Sequence, residues 1–340
     1  MKKILIMLIV LCFVATSAMA YNKTPGKGKT INPARATWST GFFQEALVRK
    51  AFEELGYKVK APKDLANPIF YKSVTLGDVD YWVNGWFPIH NAQMPKNFHD
   101  KAGIYGYVVK AGGMQGYLAS KKYIEKYNIT SLADFKRPEV KKAFDTNGDG
   151  KADLVACPPG WGCEKTIGIH MKEYGLENDI NLIKATYSAS MAGALAKHKN
   201  GEPVLFYTWT PNWTVFKFLP GEDVLWINVP EIKPHEGQKG KEKFMVVKDA
   251  VGTVTNPVKL GFVVSDIRAV ANKKFIAENP AIEKFLEVFT LPLKDISEQN
   301  TKMNAGEKSK KDIKRHVADW IKANQAKFDG WLEEARKAAK

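Results

Sequence analysis

Residues 30–60, TINPARATWSTGFFQEALVRKAFEELGYKVK, decide the fold class. Residues 30–38 read as a strand running through Ser39 and Thr40 into a helix. That helix sets Phe43, Leu47, Ala51 and Leu55 on one face at helical spacing. Gly56 is a stop signal, and Tyr57 to Lys60 begin a second strand. A helix between two short strands opens a βαβ unit, and the alternation returns downstream. Residues 131–144 read as helical with a proline interruption, 164–174 as a helix closed by Gly175, 189–199 as a helix closed by Gly201, and 203–209 as a buried strand. The chain is therefore α/β.

Further along, 262–264 and 269–270 read as two short strands, followed by mainly helical segments at 273–289 and 312–339. Ile313, Val317, Trp320 and Ile321 recur at helical spacing, and with Phe328 and Trp331 they read as core. Residues 231–257 are charged and weakly patterned, which predicts an extended surface excursion.

The N-terminus carries Lys2 and Lys3, an apolar run over 4–14, and Ala18-Met19-Ala20 as a small-x-small site. This pattern predicts a secretory signal over 1–20, cleaved after Ala20, and a periplasmic protein. The apolar run is well short of the ~20 residues that a membrane-spanning helix needs. Cys12 is a poor lipid-attachment site, because the bulky Leu11 precedes it. Removing 20 of 340 residues leaves enough chain for two sizeable cores, and 45% hydrophobic residues argue against disorder. A monomer is expected.

Cys157 and Cys163 are the cysteines that survive processing. In an oxidising compartment they are expected to close a disulfide loop; a pair of buried thiols is the alternative, and the spacing is not that of a zinc site. The net charge of +15 raises the question of a polyanion partner. Of the 51 basic residues only six are arginine, and they are scattered as on a solvated surface, so no nucleic-acid partner is expected.

Three segments carry recognisable chemistry. In Cys157-Pro158-Pro159-Gly160-Trp161-Gly162-Cys163, a helix expected to begin at Cys163 offers unpaired N–H groups and its positive end where Gly162 lets a ligand approach. A carboxylate suits that position, although an isolated loop of this kind also serves as a tied turn whose Trp161 plugs a core. The segments 81–90 and 207–213 each follow a strand and place a proline just past a central tryptophan, Trp86 or Trp209. That puts each indole in a loop at a strand's carboxyl end, where ligands lie in open α/β sheets. A quaternary ammonium has no N–H donors, and each aromatic face attracts its charge by roughly 0.5–2 kcal/mol. Three indoles then supply a large part of the ~8 kcal/mol that micromolar binding requires.

Asp145, Asn147, Asp149, Gly150 and Asp153 match the first nine positions of a calcium loop, with Ala156 where the bidentate Glu belongs. A structural calcium site and a turn stapled by Asx side chains both remain open. Gly28-Lys29-Thr30 lacks the first glycine of a phosphate loop, and there is neither Gly-x-Ser-x-Gly nor His-Glu-x-x-His. His90 alone has the character of a general base, with no evident nucleophile beside it.

From about Pro25 to the C-terminus the chain resembles the periplasmic glycine betaine/proline betaine-binding proteins of osmoprotectant ABC importers. The resemblance runs through 83–90, Gln115-Gly116-Tyr117-Leu118, 144–154, the 157–163 loop and Tyr207-Thr208-Trp209-Thr210-Pro211, and is weakest over 231–257. It implies a type II periplasmic binding protein fold, two α/β lobes joined by a hinge with the ligand cleft between them. Residues 21–118 with 262–340 would form lobe 1, carrying Trp86 and His90; 119–261 would form lobe 2, carrying Trp161 and Trp209. It further implies that these three tryptophans box the ammonium, that His90 and the backbone amides of Gly162 and Cys163 hold the carboxylate, and that a membrane permease recognises the closed form. No cofactor and no catalysis are implied. The competing classes are an exported enzyme acting on small amines with His90 as base, and a basic polyanion-binding protein.

Overall fold

The computed structural model describes residues 22–339, so the expected signal segment and its cleavage site lie outside the described residues. The first strand is interrupted at Asn32, and Pro33, which has no N–H to donate, keeps only a bridge to Tyr81. Thr30–Ile31 pairs in parallel with Lys58–Val59, and Ala34–Ala36 in parallel with Lys63–Leu65. The helix Thr40–Glu54 lies between, burying Phe43, Leu47, Val48 and Ala51, and Gly56 follows it at φ +88°. The βαβ opening is thus present as read, with its first strand in two pieces.

The first lobe is built on an antiparallel sheet in which Ser265–Asn272 lies between Tyr81–Phe87 and Ala102–Gly113. Where two short strands were expected at 262–264 and 269–270, there is one strand of eight residues, and 262–264 belong to its lead-in. Asp266 and Arg268 look like interruptions in the sequence, but both are satisfied from the neighbouring strand. Asp266 Oδ1 accepts from the Ala111 amide at 2.7 Å, and Arg268 Nε donates to the Gly106 carbonyl at 2.6 Å.

The second lobe holds a five-stranded sheet in the order Val224–Ile227, Gln115–Ser120, Leu205–Trp209, Ala152–Val155, Ile180–Ile183. The last three are parallel, and Gln115–Ser120 runs antiparallel to both its neighbours. The chain therefore passes from one sheet to the other between Gly113 and Gln115, and the boundary expected after 118 falls inside a strand of the second sheet.

The carboxyl-terminal helices Pro280–Val288, Lys310–Ala323 and Gln325–Ala338 pack on the first lobe. Trp331 sits edge-on to Phe285 and Phe289 and is core as expected, while Trp320, stacked on it at 5.7 Å, is only half-buried. The 231–257 segment runs mostly at the surface, as expected, and is anchored at a few points. Met245 is buried, Val246–Val247 pairs with Val258–Lys259, and His235 and Gln238 are enclosed. Phe244 and Val251 stay exposed and Glu236 and Lys239 face solvent, so these few buried residues leave almost no periodic trace. No helix among the described residues is long and apolar enough to cross a membrane. Phe285 is fully buried against Phe52, Phe289 and Trp331. Phe285→Ala is expected to destabilise the first lobe by about 3–5 kcal/mol, read as an earlier urea transition.

Candidate functional site

Trp86 is the penultimate residue of Tyr81–Phe87 and Trp209 the last residue of Leu205–Trp209. Both were expected in loops beyond the strand ends. Pro88 and Pro211 instead stop the ladder just after each indole, so the backbone beneath the rings is held by sheet hydrogen bonds. Trp86 lies against a bare stretch of backbone, since a Cβ at Gly113 would come within 2.7 Å of its ring. Its Nε1 donates to Asn84 Oδ1 at 2.9 Å, and the same oxygen accepts from Trp38 Nε1 at 2.7 Å. One buried carbonyl thus orients two indoles, and Asn84 Nδ2 is in turn held by Gln44 Oε1.

Across the cleft, Cys157 and Cys163 form the expected disulfide. The following helix, Gly162–Glu173, starts one residue earlier than read, with Trp161 extended in the N-cap position. Glu164 reaches back to accept from the Gly160 amide at 2.8 Å. The amides of Gly162 and Cys163 have no hydrogen-bond partner among the described residues. They are orphan donors at a helix start, where an anion is favoured. Trp161 meets Trp209 and Trp38 edge-on, each at 5.4 Å, and its Nε1 donates to Thr37 Oγ1 at 3.1 Å on the opposite side. Thr40 makes a second crossing, donating to the Pro211 carbonyl at 3.0 Å.

His90 lies in a short 3-10 turn, Ile89–Gln93, and is enclosed by Trp38, Tyr71 and Phe87. Its Nδ1 accepts from the Trp86 amide at 3.1 Å and lies 2.9 Å from the Tyr71 hydroxyl. Burial pushes the imidazole pKa down to about 3, so the ring is neutral at physiological pH. A backbone N–H can only donate, so Nδ1 is the acceptor and the proton resides on Nε2.

One pocket is lined by Trp38, Asn67, Trp86, Ile89, His90, Gln115, Trp161, Gly162, Cys163, Tyr207 and Trp209. It encloses about 310 Å³ of empty space, part of it open solvent. All six residues singled out in the sequence, Trp86, His90, Trp161, Gly162, Cys163 and Trp209, converge there. Trp38, Asn67, Gln115 and Tyr207 escaped the reading. Trp38 lies in the bend two residues past the strand Ala34–Ala36, and no proline follows it. Gln115 and Tyr207 stand in quoted segments, and Tyr207 OH donates to Gln115 Oε1 at 2.7 Å.

No lining side chain carries a formal charge. A guest with net charge would be desolvated here without a counter-ion, which costs several kcal/mol. Indoles and unpartnered N–H groups lining one pocket instead suit a small zwitterion. The 145–153 segment lies apart from this pocket. Asp145 accepts from the amides of Gly148, Asp149 and Gly150, Asn147 from that of Asp149, and Asp149 from that of Lys151. Asp153 accepts from the Thr146 amide and from Asn181 Nδ2. These side-chain oxygens thus staple a turn, and no group of three His, Cys, Asp or Glu placed to hold a metal ion occurs among the described residues.

Residues 29–323 match the family model described as the substrate binding domain of ABC-type glycine betaine transport system. The chain is 42% identical over 327 residues to the glycine betaine-binding periplasmic protein OusX of Dickeya dadantii, covering 96% of each chain. It is 40% identical over 327 residues, again 96% of each, to the glycine betaine/proline betaine-binding periplasmic protein of Salmonella typhimurium. Among solved structures, lactococcal OpuAC in its closed, glycine betaine-bound conformation superposes with a TM-score of 0.66 at 20% identity, covering 89% of this chain and 99% of that one. That likeness establishes the α/β periplasmic binding protein fold.

His170 is a second buried imidazole, 2.8 Å from the Tyr117 hydroxyl, and burial lowers its pKa to about 3 as well. The unfolded chain protonates both rings near pH 6.5, whereas the folded chain keeps them neutral far below that. Stability is therefore expected to fall as pH drops from 6.5 to 5, by up to roughly 1.4 kcal/mol per pH unit for each ring. Urea unfolding across this range checks it, and His170→Asn should remove about half of the slope.

Proposed function

The chain belongs to the family of substrate-binding domains of ABC-type glycine betaine transport systems, and we propose that it captures glycine betaine, proline betaine or a close relative for an importer. It is a binding protein rather than an enzyme. The observation that carries the choice of ligand is the uncharged pocket uniting three indole faces with two unpartnered helix-start amides.

Trp86, Trp161 and Trp209 box the trimethylated or cyclic ammonium, whose diffuse charge is drawn to their π faces. The amides of Gly162 and Cys163 and the Nε2–H of His90 take the carboxylate. Because these groups come from both sheets, ligand and closure favour one another: the box is complete only when the lobes meet. The contacts of Thr37 with Trp161 and of Thr40 with Pro211 then latch the closed state. We place the protein in the periplasm after cleavage behind Ala20, working as a monomer whose closed form docks on the membrane permease. Binding is proposed to need no metal, with the 145–153 loop as a structural turn.

Tryptophan fluorescence titration with glycine betaine, proline betaine, choline and trimethylamine N-oxide tests this reading. Saturation near micromolar glycine betaine is expected, unaffected by EDTA and flat from pH 6 to 8 because the pocket holds no group that titrates there. Trp161→Ala should weaken it by about 30-fold or more. No saturable response to any of the four ligands would refute it.

A further inference from the structure

Asn67 is fully buried, lines the pocket, and starts the helix Asn67–Leu76 opposite the Gly160–Trp161 turn. Its Nδ2 lies 2.9 Å from His90 Nε2 and 2.9 Å from Gln93 Oε1, while its Oδ1 is buried with no partner. This cannot be a complete hydrogen-bond set. His90 carries its proton on Nε2, because Nδ1 accepts from the Trp86 amide, so the contact as drawn sets one donor against another. A half-turn of the amide brings Oδ1 to the His90 proton and leaves an Nδ2–H without an acceptor. Either orientation strands one polar atom of a side chain that water does not reach. A buried polar group left unpaired is costly, and one that lines a pocket can be paired by a guest.

Resting on the betaine reading of this pocket, we propose that Asn67 is a further ligand donor and sets the preference for a carboxylate over a neutral head group. Oδ1 accepts the Nε2–H of His90, which fixes the amide, and Nδ2–H is presented to a carboxylate oxygen. The His90 proton is shared between Oδ1 and that same carboxylate. Gln93, turned to match, donates to Oδ1 from the far side and gives up its long 3.4 Å bond to the Gly160 carbonyl. The ligand's anion thus meets two backbone amides, one imidazole and one carboxamide, all uncharged. A hydroxyl in its place leaves most of these donors unanswered. This gives selection against alcohols such as choline, whose ammonium end the indoles accept equally well.

Titration calorimetry of the native protein, Asn67→Leu and Asn67→Asp with glycine betaine and with choline tests the assignment. Thermal melting without ligand shows whether each variant is folded. Asn67→Leu, near in size and without a donor, is expected to weaken glycine betaine by about 30-fold while changing choline by less than about threefold. Asn67→Asp, which turns carboxylate oxygens toward the ligand, is expected to weaken glycine betaine further and to bind choline more tightly than the native protein does. Unchanged glycine betaine affinity in either folded variant overturns the proposal. So does an equal loss of both ligands, which would mean that Asn67 only supports the packing of His90. Absence of glycine betaine binding by the native protein would defeat the underlying functional reading instead, and this proposal with it.

Discussion

The pocket is governed by one electrostatic constraint: a guest carrying both a positive and a negative charge is enclosed by walls that carry neither. Moving a full charge out of water costs several kcal/mol even when a counter-ion waits for it. The walls answer with quadrupoles and dipoles. Indole faces attract a methylated cation that has no hydrogen bonds to lose, and a helix start with free N–H groups accepts an anion without a buried lysine or arginine. A mono-charged guest satisfies only one wall and leaves the other idle. Neutrality of the site and selectivity for zwitterions are therefore the same property.

Such weak, directional attractions act only if their sources stay fixed, and much of the surrounding structure serves that end. Trp86 and Trp209 stand on the last rungs of two different sheets. Asn84 holds Trp38 and Trp86 through a single oxygen, and Gly113 lets the Trp86 ring rest on backbone. The disulfide between Cys157 and Cys163 ties down the loop that presents Trp161. His90 is kept neutral by burial and given its tautomer by the Trp86 amide, so the proton it offers is always on the same nitrogen. The contacts across the cleft join hydrogen bonds from Trp161 to Thr37 and from Thr40 to Pro211 with the edge-on meeting of Trp38 and Trp161.

The site was legible where one short segment carried its own signals. Trp86 and Trp209 each precede a strand-ending proline, and Trp161 stands between two glycines inside a cysteine-bounded loop. Trp82, four residues before Trp86, looks equally suitable in sequence, yet it stacks on Phe70 at 3.8 Å in the core because it sits deeper along the strand. Trp38 and Asn67 have no such local marks. Their roles come from partners at 84, 90 and 161, and nothing near positions 38 or 67 announces those meetings. The anchors of the 231–257 segment, His235, Gln238 and Met245, carried no mark for a related reason: they are too few and too irregularly spaced to make a pattern.

The linear order of residues settled the alternation of strands and helices and marked the cysteine-bounded loop and three tryptophans as candidates, because each of these is read from neighbours within a dozen positions. Which way the rings face, that His90 offers Nε2–H, and that Asn67 is left with an unanswered polar atom were decided only by the tertiary structure. These depend on burial and on distances between atoms far apart in sequence. Desolvation and hydrogen-bond geometry exist only once the two sheets have brought those atoms together.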